Sequence, residues 1–506
     1  MRLLLSFLAL ILPSIGPLGA QPVGPAQMVD IEHADSLVVT VLNGEEVRRL
    51  IGNVRVRQGV LRLAADRAEY SITRNHAELS GNVRIEQPGM VMTGPRVGYD
   101  GNTRIATAPA GVTLVDNGAT LRAGVGEYDM NSRVARFRSG VTLQDGKSTL
   151  RAGSGDYYSN DLRAEFRDNV QVENDSGSIT ARRITHWRST QESFAVGSVV
   201  LIARRNNARL TGDTLRYRPA DGYTVATGRP RLVQIDTSRI VDSTGRIRRD
   251  TTIISAMKLE SFRRGAEAYV ATDSVRFRRG ELEGVAALAR YLPDSNVITL
   301  GPGRLGDTMR DPPSKETTTS DTGAITGVKP RLTPAKGPYP VVWYERSQLT
   351  GDSIVVGLQS RKLRSIDVIG RAFAVTEGKL RGRYDQMAGS RLFFDILRDT
   401  IRQIRSEEFA SSIVFIYDGE APQGVDRQSG DTITVDFDSG EAVAASVTGR
   451  RTRAEGEYFP EELVAGTLAT FRLDGFRLYD RDGSIGTLSP TLPRQPVIPE
   501  PTPREE

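Results

Sequence analysis

Leu50-Ile-Gly-Asn-Val-Arg-Val returns along the chain as Leu79-Ser-Gly-Asn-Val-Arg-Ile, Pro109-Ala-Gly-Val-Thr-Leu, Arg138-Ser-Gly-Val-Thr-Leu and Arg167-Asp-Asn-Val-Gln-Val. The anchors Gly52, Gly81, Gly111, Gly140 and Asn169 are separated by 29, 30, 29 and 29 residues. A second landmark keeps the same beat: Tyr70, Tyr99, Tyr128, Tyr157, Trp187 and Tyr217 are 29, 29, 29, 30 and 30 apart. A chain built this way grows by stacking each copy on its neighbour, so length does not limit it to globular domains.

Within each copy the apolar residues alternate. Val54 and Val56, Leu61 and Leu63, Val83 and Ile85, Met90 and Met92, Val112 and Leu114, and Val141 and Leu143 are i, i+2 pairs, and Leu121 and Leu150 fall in the same pattern. Polar residues between them give the period-2 signature of a strand with one apolar face. Phe137 and Phe166 precede the Gly-Val and Asn-Val steps, where Gly or Asn supplies a turn or bulge. Tracts such as Pro88-Gly89 and Asp145-Gly146 read as turns. The expectation is an all-β chain with about three short strands per unit. Three strands shared over two sheets would advance about 7 Å per unit, so ten or so units would reach on the order of 70 Å. Glu45–Leu50 and Pro460–Leu468 carry the only helix signals, a turn or two each.

The beat drifts after about residue 225, with an insertion expected near 236–252 and the pattern resuming at Tyr269. Residues 301–340, rich in Pro, Gly, Thr and Ser, read as a linker. A second set follows over 341–480, where Gly351, Gly389 and Gly430 lie 38 and 41 apart. With the first set at 34–300, this predicts two repeat domains and a Pro-rich tail at 481–506. Residues 1–20 read as a secretory signal peptide: Met1-Arg2, an apolar stretch from Leu3 to Ile15, and small residues up to Ala20. The chain has no cysteine, so an exported protein of this kind must be held by packing and backbone pairing.

Chemistry-bearing constellations are missing from the sequence. His33, His76 and His186 sit at unrelated repeat positions, and no metal-ligand spacing is present. Asp66, Asp129, Asp156 and Asp213 recur with the repeat, which points to structure rather than to a catalytic carboxylate pair. The expectation is a protein without enzymatic activity or cofactor. Lys supplies only seven of the 67 basic side chains, and Arg suits bidentate contacts to phosphate or carboxylate. Acidic residues are interspersed throughout, so no nucleic-acid patch forms.

Two surfaces remain as candidates. The alternating apolar residues line one face, which either closes as a dry core or stays open to a ligand. Ser36, Leu37, Val38, Val39, Thr40 and Val41 at one end, and Thr467–Phe476 at the other, read as edge strands. Such edges pair with another chain or are covered by loops. The recurring Tyr or Trp reads as a structural stack.

The string Ala77-Glu-Leu-Ser-Gly-Asn-Val-Arg-Ile, with Leu61-Arg-Leu-Ala-Ala-Asp-Arg-Ala-Glu-Tyr70, resembles the OstA-like family of periplasmic lipopolysaccharide-transport proteins. The resemblance is good over residues 34–225 and loose over 342–460. It implies two antiparallel sheets folded into an open V, a β-jellyroll of ten or more units here. It also implies acyl chains in the groove lined by the alternating apolar residues. The partners implied are lipopolysaccharide, an inner-membrane export complex, an outer-membrane translocon and head-to-tail copies of the chain, in the periplasm. The rival readings are a surface structural β-solenoid of adhesin type and, behind it, a β-helical polysaccharide lyase.

Overall fold

Why each repeat folds back on itself is visible at its glycine. In the computed structural model Gly52 and Asn53 both have positive φ, as do Gly81 with Asn82, Ser139 with Gly140, and Asp168 with Asn169. Two successive left-handed residues insert a bulge: the register jumps from Ile51 to Val54, from Ser80 to Val83, from Arg138 to Val141 and from Arg167 to Val170. A bulge adds length to one strand only and bends it. Each long strand therefore turns at its corner, and the hydrogen-bonded sheet bends there into two facing halves, the two sheets of the V.

The structure describes residues 30–484, apart from 43, 59, 117, 205–206, 219, 236–239, 242–246, 249–250, 264–266, 303–338, 360–361, 398–399, 439–440, 451–452 and 465–467. The expected signal peptide, most of the insertion, most of the linker and residues 485–506 of the tail lie outside the described residues. Among the described residues strand dominates, and helix is limited to Glu461–Val464, the 3-10 turn Leu468–Thr470 and a single 3-10 residue, Arg204. Glu45–Leu50, a possible helical turn from sequence, belongs instead to the strand Glu45–Gln58. Every described strand pairing with a register is antiparallel, for instance His76–Gln87 with Met90–Asp100.

The chain forms two compact units, one of residues 1–249 with 260–265, the other of residues 250–259 with 266–506. In the first, the 29-residue repeat is one hairpin of two long strands, not three short ones. The first hairpin is Glu45–Gln58 with Leu61–Ser71, and the second is His76–Gln87 with Met90–Asp100. The fifth is Arg163–Asn174 with Gly177–Trp187, and the sixth Glu192–Ala203 with Ala208–Arg218. The third and fourth keep the plan, with one strand interrupted at the corner: Ile105–Ala108 and Val112–Asp116 precede Ala119–Asp129, and Val134–Asp145 precedes Ser148–Ala152 and Ser154–Tyr158. Each strand contributes to both sheets, so a hairpin advances the stack by about 9.6 Å rather than about 7 Å.

In the second unit the longer beat comes from longer strands. Lys362–Glu377, Tyr384–Leu397, Thr400–Asp418 and Ala421–Asp438 have 16, 14, 19 and 18 residues. They again bend at bulges, between Ile369 and Ala372 and between Glu407 and Ala410. Its interior is tightly closed: Leu300, Ile354, Val356, Ile366, Val368, Leu392, Ile396 and Ile433 are all 0% exposed.

Residues 468–478 form no strand, contrary to the expected edge at Thr467–Phe476; Thr467 itself is outside the described residues. This segment lies across the second unit's sheet as a strap. Leu473 and Leu478 are buried there with Phe373, Val375, Ile413 and Phe415. Two glutamines on the sheet hold its backbone. Gln386 donates to the Phe471 carbonyl at 2.9 Å and accepts from the Leu473 amide at 2.8 Å. Gln348 does the same for Arg477 and Tyr479, at 2.8 and 2.7 Å. The strap ends in a turn at Asp480–Ser484, where Arg481 pairs with Glu283 at 3.0 Å.

Candidate functional site

The interior of the first unit is built from rows of residues facing one another across hydrogen-bonded strands. One row runs Val56, Leu63, Ile85, Met92, Leu114, Leu121, Leu143 and Leu150. It continues through Val172, Ile179, Leu201, Leu210 and Leu232, so the aliphatic ladder is unbroken across the unit. Beside it, at the corner, valines alternate with small residues. Val54 faces Ala65, Val83 faces Gly94, Val112 and Val141 face Ala123, and Val141 also faces Ala152. Val54 and Val83 are each 1% exposed and Val141 is 2%. The small partners leave room for the two sheets to meet closely at the fold of the V.

Every apolar position singled out from sequence therefore faces the interior between the sheets, with one difference in degree. Val112, Leu114, Leu121, Val141, Leu143 and Leu150 are buried, whereas Val56, Leu61, Leu63, Ile85, Met90 and Met92 are only half-buried. Across from them, the other sheet contributes a second wall. A cavity of about 20 Å³ is lined by Leu114, Ala119, Leu121 and Leu143 of one sheet and by Phe137, Tyr157, Ala164 and Phe166 of the other. Phe137 and Phe166 both face Gly155 on the strand between them, and a Cβ there would meet the Phe166 ring at 2.9 Å.

The tyrosine beat also has its place. Tyr70, Ala77, Tyr99, Ala106, Tyr128, Ala135, Tyr157 and Ala164 form one interior row in which tyrosine and alanine alternate. The next member is His186, not Trp187. His186 faces Ala164 on one side and Ser193 on the other, and Ser193 faces Tyr217. Each return strand skips one position at its corner, so the inward residues run Ala181, Ile184, His186. Trp187 falls one place off the interior face. His186 is 5% exposed, Nδ1 lies 3.0 Å from Ser193 Oγ, and burial pulls its pKa down to about 4.

The outward face of the same sheet is polar. Asp156 forms an ion pair with Arg138 at 2.6 Å and accepts a hydrogen bond from Arg167 at 2.7 Å, and Glu165 pairs with Arg167 at 3.1 Å and Arg183 at 3.5 Å. This arginine-rich network ties neighbouring strands on the water side while the interior stays apolar. Among the described residues no group of three or more His, Asp or Glu side chains is placed to hold a metal ion.

The N-terminal end is an open edge. Ser36–Leu42 pairs with Glu45–Ile51 and Asp30–His33 with Arg55–Arg57, and neither pairs with any other described strand. Leu37, Val38, Val39 and Val41 are 58%, 42%, 55% and 69% exposed, and no charge interrupts Ser36–Leu42. The second unit has a corresponding edge. Glu441–Thr448 and Glu455–Pro460 share the strand Ala421–Asp438 and pair with nothing else described.

The family model of the OstA-like proteins matches residues 26–182. That stretch of the chain is OstA-like. It takes in the N-terminal edge and the first four hairpins of the first unit. No curated protein matches the chain. Among solved structures, the chain is similar to LptH of Pseudomonas aeruginosa, described as the LptA homologous periplasmic component of the conserved lipopolysaccharide transport device. The identity is 16%, over 27% of this chain and 82% of that one, with a TM-score of 0.15.

Proposed function

We propose that this chain is a periplasmic component of lipopolysaccharide transport that holds acyl chains between its two sheets and performs no chemistry. The reading rests on one observation above the others: an unbroken aliphatic row, open at its N-terminal end, inside an OstA-like roll whose outer face carries arginine–carboxylate pairs. Val54, Val56, Leu61, Leu63, Val83, Ile85, Met90 and Met92 receive the chains first. Val112, Leu114, Leu121, Val141, Leu143 and Leu150 continue the track. The phosphorylated sugars stay outside, where arginine is plentiful.

Bridging follows from the edges. Unpaired N–H and C=O groups beside exposed valines make Ser36–Val41 a template for another strand. The strand it takes comes from an inner-membrane export complex, an outer-membrane translocon or the C-terminal edge of a second copy. The antiparallel pairing speaks against the rival β-helical lyase, whose coils stack in parallel. A surface structural solenoid would use the same stacking but has no reason to leave the first two hairpins half-open.

Photo-crosslinking in cells tests this reading. A benzophenone side chain at Leu63 or Ile85 should yield lipopolysaccharide adducts. Their absence from both sites, alongside adducts in a known transport protein, overturns it. Proline at alternate positions of Ser36–Val41 should abolish partner pairing while leaving the fold intact, because a proline offers no N–H to the partner.

A further inference from the structure

Access to the interior falls along the first unit in three rows of residues. In the aliphatic row, Ile85 and Met92 are half-buried, whereas Leu143 and Leu150 are 1% and 0% exposed. In the tyrosine row, Tyr70 is 40% exposed, Tyr99 and Tyr128 are half-buried and Tyr157 is only 3% exposed. The third row is the first residue of each return strand, at the far end of the sheet from the corner. It reads Leu61, Met90, Ala119, Ser148, Gly177, Ala208. The two bulky members are half-buried and the four small ones are buried.

The second and third rows meet. Ala119 and Tyr157 line the same small cavity although they belong to opposite sheets. The free margins of the V thus approach each other there, a tyrosine on one margin across from a residue with little or no side chain on the other. A larger side chain at Ala119 would enter the narrow space between them. Leu61 and Met90 present that larger side chain in the first two hairpins, and Tyr70, Tyr99 and Tyr128 are all more open to solvent than Tyr157.

We propose that the tyrosine row is the seam of the roll, closed from Tyr157 onward by small residues and held ajar before it by Leu61 and Met90. An acyl chain then gains the interior only through the first two hairpins, at the end that carries the exposed edge strand. Passage deeper requires the tyrosines to lift off the small row, a local opening that leaves the corner and its backbone pairing in place. The acyl ligand in this inference rests on the function proposed above; the seam itself does not.

The absence of cysteine makes the seam directly measurable, because one introduced thiol reports alone. Leu63→Cys and Leu150→Cys, each as the sole cysteine of the full chain, are treated with N-ethylmaleimide. The thiol at 150 should react at least about tenfold more slowly than that at 63, since it reacts only from an opened state. Adding Tyr157→Ala should raise the rate at 150, and adding Tyr157→Phe, which keeps the ring, should not. Equal rates at 63 and 150 in the parent overturn the seam, even if the alanine variant fails to fold. Benzophenone at the same two positions, exposed to purified lipopolysaccharide, completes the test. Adducts at 63 with none at 150 are expected, and equal adducts at both overturn the restriction to the first two hairpins. Adducts at neither site, with the thiol rates as expected, overturn the lipid reading and leave the seam standing.

Discussion

His186 Nδ1 lies 3.0 Å from Ser193 Oγ, in a row that runs tyrosine against alanine from Tyr70 as far as Ala164. The pair places a titratable group inside the apolar roll, where burial holds its pKa at about 4 against an ordinary 6.5. The unfolded chain takes up a proton below pH 6.5 that the folded chain refuses until about pH 4. Stability contributed by neutral His186 is therefore complete above pH 6.5 and lost as pH falls towards 4, by about 3 kcal/mol. His186→Tyr with Ser193→Ala, which restores the tyrosine–alanine pattern, should flatten that slope in chemical denaturation between pH 4 and 6.5.

Asp385 titrates in the opposite sense. Its carboxyl is pushed up to about 6, chiefly by burial, against the pull of the Phe415 amide and of Arg346. A raised acid pKa contributes stability below the ordinary value of 3.8 and loses it as pH rises through 6. Asp385→Asn keeps an acceptor for the Phe415 amide, which donates to Oδ1 at 2.8 Å. The variant should be more stable than the parent at pH 8 by about 1 to 3 kcal/mol and indistinguishable from it below pH 4.

The short helix Glu461–Val464, which precedes the strap of the second unit, offers an asymmetric test. Arg383 is 6% exposed and makes two hydrogen bonds to Glu461, one of them 2.8 Å long. Removing Glu461 strands a buried guanidinium, whereas removing Arg383 leaves a carboxylate that still reaches water. Glu461→Ala should cost about 3 kcal/mol, more than Arg383→Ala. Gln386→Ala should release the amide of Leu473 and raise its hydrogen exchange without touching the first unit.

Two corner glycines should respond differently to alanine. Gly81 has φ +72° and a Cβ there would sit 2.8 Å from the Asp66 Cβ; Gly140 has φ +83° and open space. Gly140→Ala pays only for the backbone conformation, about 1 kcal/mol, while Gly81→Ala adds a steric clash and should cost clearly more. Denaturant midpoints of the two variants measure the difference.

Much of this fold was legible in the sequence because the repeat exposes both its period and its parity. Val54, Leu63, Ile85 and Leu143 all face the interior as their alternation implied. The turn or bulge at each Gly or Asn was legible too; what the sequence hid was its effect on parity. A bulge preserves inward parity on the outward strand but shifts it on the return strand, so counting by twos from Leu121 does not arrive at Tyr128, and matching aromatic to aromatic picks Trp187 where the 29-residue beat from Tyr157 reaches His186. The same bulge made one bent strand look like two short ones. The strap was missed for another reason: Phe471, Leu473 and Phe476 alternate closely enough to mimic an edge strand, and only the tertiary contacts to Gln386 and Phe373 place them across a sheet.

The central claim is that the half-open end of the first unit holds acyl chains. Mass spectrometry of lipid co-purified with the full chain from an envelope fraction tests it most directly, with Ile85→Asp and Met92→Asp made together as the comparison. The account predicts lipopolysaccharide bound to the parent chain and lost from the paired variant, with both proteins folded. Lipopolysaccharide absent from the parent, or retained equally by the folded variant, would contradict it.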